Sequence, residues 1–257
     1  LYYEEIGDEN GPLMLFLHGG GVSGWMWEKQ VQYFSQYQCI VPDLPEQGSS
    51  RKSGDFSIRI SAELLNSLIE EKAQNKEVIV IGFSLGAQVA IEMISQKPTL
   101  IHYAIINSAL VIPNPALKLL IKPFIRLSYP FIKNKTFSKI QAKALFITDN
   151  QFEKYYEESS RMPLPTLIRI LEENMSYTIP EQFKTTTTNI LVTVGEKENS
   201  MMKKSALKIV ASNSNCKGII INKVGHGISM ANPYYFNEMI ESWISKSELP
   251  KGYRVIE

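Results

Sequence analysis

The sequence predicts an α/β protein: a doubly wound, mostly parallel sheet with an inserted helical subdomain. Three observations carry this. Short apolar runs alternate with amphipathic stretches up to residue 110 and again from 189 to 257. The runs are apolar at every position rather than at every second one, as expected of strands covered on both faces. Between 111 and 188 the alternation stops and a helical, proline-interrupted segment takes its place.

The elements follow in order. The chain opens on LYYEEIG, a strand pattern entered part-way, so a few residues are expected to precede it. LMLFL (13–17) and QCIVP (38–42) are the next strands. Over 61–72, Ala62, Leu65, Leu68, Ile69 and Lys72 recur at helical spacing. EVIVIGF (77–83) is a strand that runs directly into a helix over 84–96, and HYAIIN (102–107) is another strand. Pro113, Pro115, Pro123, Pro130, Pro163, Pro165 and Pro180 then cut 111–188 into short helical pieces. NILVTVG (189–195), a helix over 201–211 and KGIIINKVG (217–225) resume the alternation. The last helix carries Phe236, Met239, Ile240, Trp243 and Ile244 on one face. The periodic apolar residues are core. The expected organisation is a core of 1–110 and 189–257 with a cap, or lid, of 111–188. Sheets of this kind carry their chemistry at the carboxyl ends of the strands.

Composition narrows the function. The 257 residues are 44 % hydrophobic and 21 % charged, ordinary for a soluble globular chain, with a formal net charge of +1. Such a balance gives no overall field for nucleic acid or membrane. No apolar run reaches spanning length, so no integral membrane segment is expected. Cys39 and Cys216 form no CxxC, which argues against a disulfide framework or a zinc ribbon and fits a cytoplasmic protein. There is no H-E-x-x-H and no cluster of ligands, so no metal or organic cofactor is expected.

The strongest motif is Gly82-Phe83-Ser84-Leu85-Gly86, a G-x-S-x-G set between a strand and a helix. Bare, the pattern is weak; in strand-turn-helix context it describes a nucleophile elbow, a sharp turn that lifts a serine hydroxyl out of the sheet. A serine needs a base, and the base an orienting acid. Of three histidines, His102 opens a strand, His18 belongs to a glycine loop, and His226 follows the last long strand in KVGHGIS, the natural place for the base. The acid is expected between serine and histidine in chain order. Glu196 and Glu198 both follow the strand 189–195, position alone leaves them open, and Asp149 lies in the insert.

Residues 18–24, HGGGVSG, admit two readings. Gly19, Gly21 and Gly24 have the G-x-G-x-x-G spacing of a dinucleotide loop, with Asp43 placed like a ribose-binding acid. That reading leaves GFSLG, GEKE and VGHG as coincidences. The other reading uses them all: the glycines let backbone N–H groups approach a developing oxyanion, together with the Leu85 N–H just after the nucleophile.

At this point the chain resembles the α/β-hydrolase superfamily of serine esterases, lipases and C–C hydrolases. The likeness runs through LHGGGVSGWMW, VPDLPEQGSS, VIGFSLGAQVA, ILVTVGEKE and VGHGISMANP, in the family's order. It implies Ser84 as nucleophile, His226 as base and Glu198 as acid, with Glu196 as rival because the family usually has an aspartate there. It implies an oxyanion hole of Gly20 (with Gly19 and Gly21 as alternatives) and Leu85, and a lid that chooses the substrate. Relatives often carry D-x-x-G-H-G-x-S where this chain has Asp43, Gly48 and Ser50 but Glu46 and Gln47 in place of glycine and histidine. Trp25 and Phe83 are the expected substrate contacts, whereas Trp27 is expected in the core. The expected function is hydrolysis of a small ester, thioester or lactone through an acyl-enzyme. The alternatives are C–C bond hydrolysis or elimination on the same residues, and a weakly catalytic ligand receptor. The sequence sets no oligomeric state. Lastly, 111–143 holds seven basic residues (Lys118, Lys122, Arg126, Lys133, Lys135, Lys139 and Lys143), no acid, and interleaved apolar residues. The plain reading is a solvated basic face of the lid; the sharper one is attraction to an anionic substrate or membrane surface.

Overall fold

A computed structural model describes residues 1–257 except 114, 247 and 257 and the side chains of 115–118. Lys118 of the basic stretch therefore lies outside the described side chains. Eight strands form one sheet in the order β1-β3-β2-β4-β5-β6-β7-β8. They are β1 (Tyr3–Gly7), β2 (Leu13–Leu17), β3 (Gln38–Pro42), β4 (Val78–Phe83), β5 (Tyr103–Asn107), β6 (Asn189–Gly195), β7 (Cys216–Ile221) and β8 (Tyr253–Val255). β2 to β7 pair parallel, while β1 and β8 close the two edges antiparallel. The expected strands are present, several to the residue; the short edge strand β8 was not anticipated.

Parallel pairing needs crossovers, and helices supply them. On one face lie α2 (Ile58–Ala73), α3 (Leu85–Gln96) and α8 (Ser200–Ser212); α1 (Glu28–Tyr33), the short α9 (Ile228–Ala231) and α10 (Pro233–Ile244) cover the other. Alternate strand residues go to opposite faces. Leu13, Leu15, Val80, Ile106 and Val192 pack under α2 and α3, while Met14, Phe16, Ile81, Ile105 and Leu191 pack toward α1 and α10. Both sets are fully buried, so a strand with two covered faces shows no polar alternation. Trp27 is fully buried beside Phe16 and Phe236, as expected of core.

Between β5 and β6 stand four further helices: α4 (Pro115–Ser128), α5 (Lys135–Ala144), α6 (Asp149–Ser160) and α7 (Leu164–Ser176). They form the helical insertion. The stretch after α7 returns to the core, where Phe183 is fully buried and its carbonyl accepts from Asn213 Nδ2 (2.7 Å).

The helix α3 starts against the sheet with almost no clearance. A Cβ on Gly86 would stand 2.6 Å from the His18 carbonyl oxygen, and one on Gly82 would stand 2.5 Å from the Gly86 oxygen. Gly86→Ala is therefore expected to cost about 3 kcal/mol, the upper part of the range for overpacking, in urea or thermal unfolding. Gly225→Ala, where a Cβ meets nothing within 4 Å, should cost under about 0.5 kcal/mol. Equal costs would show that the close approach is not the constraint.

Candidate active site

Ser84 joins β4 to α3 with φ 53° and ψ −111°. For a residue with a Cβ, such a backbone costs on the order of 1–3 kcal/mol and persists only where its surroundings hold it. Here the Ser84 N–H donates to the Asn107 carbonyl (2.9 Å) on β5, and the two flanking glycines let the turn close. The side chain is half-buried rather than sealed.

Neighbouring strand ends bring up the other residues. The Ser108 N–H donates to the Thr193 carbonyl (2.8 Å), tying the end of β5 to β6. After β6 the chain turns tightly at Gly195–Glu198, with the Glu198 N–H donating back to the Gly195 carbonyl (3.1 Å). A Cβ on Gly195 would stand 2.5 Å from the Gly225 oxygen, so only glycine admits the loop that carries His226. The Lys197 N–H donates to the Val224 carbonyl (2.8 Å), fixing that loop to the turn.

The outcome is a bond between Glu198 Oε2 and His226 Nδ1 at 2.8 Å. The Glu198 side chain is 2 % exposed, that of His226 31 %. The other carboxylate oxygen, Oε1, accepts from the Gly195 N–H (2.8 Å) and the Ser108 hydroxyl (2.7 Å). Burial pushes the Glu198 carboxyl up, but the His226 ring, the Gly195 N–H and the Ser108 hydroxyl outweigh it and hold it below its ordinary 4.5. The rival acid points elsewhere: Glu196 accepts from the Lys223 N–H (2.8 Å) and Arg254 Nη2 (2.9 Å). Ser108 escaped the sequence reading; its only sequence signal is a polar residue just past the carboxyl end of β5.

The remaining histidines hold the frame. His18 is fully buried, and its Nε2 accepts the Leu44 N–H (2.8 Å) while Nδ1 donates to the Gly19 carbonyl (2.7 Å). One nitrogen accepts and the other donates, so the ring is neutral; burial lowers its pKa. His102 Nδ1 accepts the Val78 N–H (3.1 Å) at the start of β4. The Asp43 carboxylate is engaged within its own loop by the Gly24 N–H (2.8 Å) and the Ser49 N–H (2.7 Å). The dinucleotide reading needed that carboxylate free for a ribose.

In the glycine loop, a Cβ on Gly20 would lie 3.6 Å from Leu85 Cδ2, and one on Gly19 would lie 3.5 Å from Ser84 Cβ. The loop thus crosses directly over the elbow. Among the described residues, neither the Gly20 nor the Leu85 N–H has a backbone or side-chain acceptor. The next N–H, of Gly21, donates to Gln47 Oε1 (3.0 Å). Gln47, one of the two departures from the family's loop, therefore steadies the glycines. The other, Glu46, accepts from Thr166 Oγ1 (2.7 Å) and Arg169 Nη1 (2.6 Å) of α7.

Neither expected substrate contact, Phe83 or Trp25, lines the cavity beside the glycine loop. Phe83 is 2 % exposed, and its ring packs against that of His226, centroids 4.8 Å apart. Trp25 donates its indole N–H to Glu158 Oε2 (3.0 Å) of α6, and Ser23 donates to Oε1 (2.9 Å). Trp25 lines a separate depression with Glu28, Val41 and Lys154. Burial raises the Glu158 carboxyl against the opposing hydrogen bonds from Trp25 and Ser23, and the Asp43 charge adds to the rise. The cavity beside the glycine loop is another one, about 450 Å³, bounded by Gly20 and Gly21 below and by Phe124, Ile125, Phe137 and Leu171 above, with no charged side chain in its lining. A larger depression of about 580 Å³ lies beyond the His226 loop, lined by Lys197, Lys223 and Lys251; Ser84, His226 and Glu198 line neither cavity, and of the two only the smaller reaches the glycine loop.

Known proteins agree with this architecture. A family model described as alpha/beta hydrolase fold matches residues 12–152. The chain is 35 % identical over 97 residues to the magnesium-chelatase 30 kDa subunit of Rhodobacter capsulatus (37 % of this chain, 34 % of that protein). It is 32 % identical over 94 residues to esterase Rv0045c of Mycobacterium tuberculosis (36 % and 31 %). The matched region thus spans about a third of the length of these curated relatives. An esterase from Exiguobacterium antarcticum has the same fold, with a TM-score of 0.80, 17 % identity and 95 % of each chain covered.

The depressed Glu198 pKa has a consequence for stability. The folded state binds that proton less readily than the unfolded state. The contribution is therefore present above about pH 4.5 and lost as pH falls through the folded value. Glu198→Gln cannot titrate. The stability gap between wild type and Glu198→Gln, read from thermal unfolding, is expected to hold at neutral pH and to narrow below 4.5. A gap independent of pH would contradict this account of the carboxylate.

Proposed function

The chain belongs to the α/β hydrolase fold family, and on that premise we propose that it is a serine hydrolase of a small ester, thioester or lactone, working through Ser84, His226 and Glu198. One observation carries the reading: a nearly sealed carboxylate, Glu198, grips Nδ1 of a half-exposed His226, and Phe83, the chain neighbour of the strained Ser84, packs on that imidazole with ring centroids 4.8 Å apart. Nothing in core packing calls for a buried carboxylate bonded to an imidazole at a strand end; an acid that orients a base does.

With Nδ1 engaged, Nε2 is the ring nitrogen that takes the Ser84 proton as the hydroxyl attacks the substrate carbonyl. Glu198 fixes the tautomer and stabilises the imidazolium. The carbonyl oxygen becomes an oxyanion met by the N–H groups of Gly20 and Leu85, each donor being worth roughly 3 kcal/mol in the transition state. His226 then gives its proton to the leaving group, and an acyl-Ser84 remains. Water, deprotonated by His226, releases the acid and restores the serine. The uncharged cavity beside Gly20 suits an apolar acyl group, and the lid helices that roof it set its size.

A fluorophosphonate probe followed by peptide mapping tests the claim. Labelling is expected at Ser84 alone and lost in Ser84→Ala and His226→Ala. Glu198→Gln should lower kcat on p-nitrophenyl esters by about 10²–10⁴-fold, in line with loss of the orienting acid, whereas Glu196→Gln should leave it within about twofold. A wild type that takes no label and hydrolyses none of the esters would overturn the reading. Ligand-induced stabilisation without turnover would then indicate a receptor.

A further inference from the structure

The lid presents an apolar face that nothing among the described residues covers. In α4 and the 3-10 turn after it, Leu119 is 81 % exposed, Leu120 60 %, Phe124 65 %, Leu127 78 % and Phe131 56 %. At about 100° per residue, the four residues on α4 fall within less than half of the helix circumference. The opposite side is anchored, with Ile121 5 % exposed against the protein. Single exposed leucines need no explanation, but five large apolar side chains on one short segment do.

The charge along this segment of the chain is equally one-sided. Seven basic residues and no acid occur in 111–143 of a chain whose net charge is only +1. Lys122 pairs with Glu172 (3.3 Å) and Lys135 with Glu153 (2.8 Å). Among the described residues, Arg126, Lys133 and Lys143 make no ion pair. Arg126 follows Lys122 by one helical turn and flanks the apolar stripe on α4. Phe124 belongs both to the exposed face and to the rim of the cavity above Gly20.

We propose that this face of the lid docks on an anionic lipid surface, with the apolar side chains of α4 entering the interface and the basic residues beside them meeting lipid phosphates. A helix and following turn that present five separate apolar side chains match a fluid interface, which needs no sockets, better than a protein that would have to provide one for each. A second copy of this chain would bring two cationic segments together. The attraction of basic residues for an anionic leaflet is additive and screened by salt. No helix among the described residues is long and apolar enough to cross a membrane, so the contact is peripheral. The docking does not rest on the catalytic reading, and Ser84→Ala should bind lipid as the wild type does.

The test is co-sedimentation of the full chain with vesicles of phosphatidylcholine alone or mixed with phosphatidylglycerol, at about 50 and about 500 mM NaCl. Binding is expected to be at least about tenfold stronger on the anionic vesicles and to be largely lost at high salt. The double variant Leu119→Asp/Leu127→Asp should weaken it by at least about tenfold with an unchanged melting temperature. Absence of binding to anionic vesicles, equal binding to both vesicle types, or unchanged binding by the folded double variant would each overturn the proposal. So would light scattering that shows a concentration-dependent dimer abolished by the same double variant, because the face would then be covered by a second copy.

Discussion

The first turn of α3 passes so close to the end of β2 that residue 86 can carry no side chain. Everything at the site depends on that approach. It forces the chain to reverse within a few residues of β4, which places Ser84 at positive φ and starts a helix directly behind it. It also brings Leu85 against Gly20, so two N–H groups without an acceptor among the described residues come from segments more than sixty residues apart. The backbone strain is stored where the packing of three strands and a helix over-determines it.

A second constraint is electrostatic. Glu198 is taken out of water at the end of β6, and such a carboxylate is tolerable only when its lone pairs are met. The Gly195 N–H, the Ser108 hydroxyl and the His226 ring meet them from three successive strand ends, β5, β6 and β7. The parallel register supplies all three at one level, which is the physical reason that this edge of a doubly wound sheet collects chemistry. Phe83 completes the arrangement by packing its ring against the imidazole.

Much of this was legible in the sequence, for identifiable reasons. The inner strands carry apolar residues to both faces, so β2, β3 and β6 read to the residue, and the glycines of GFSLG mark the elbow because no other residue fits. What was not legible depended on direction or on distance in the chain. Glu196 and Glu198 follow the same strand, and only the folded turn sends one inward to His226 and the other to Lys223 and Arg254. Trp25 sits beside the glycine loop in sequence, yet its indole is claimed by Glu158, 133 residues later. β8 has three residues with no buried face, too short and too exposed to leave a pattern.

The attachment of the lid has a consequence for how such proteins diversify. Its helices α6 and α7 are fastened to the core through Glu158 on Ser23 and Trp25, and through Thr166 and Arg169 on Glu46. These core anchors sit in the loops that shape the glycine turn: Ser23 and Trp25 follow Gly21 by two and four residues, and Glu46 precedes the Gln47 that holds the Gly21 N–H, while further bonds tie α7 to Ile58 and Gln88. The roof and the floor of the cavity therefore share fasteners. A foreign lid transplanted onto this core would leave Glu46 and Trp25 without their partners, and the slack would pass straight into the glycine turn. The insertion is accordingly not an interchangeable cassette: a change of roof has to be matched by changes in the loops beneath it, and the two evolve as one part.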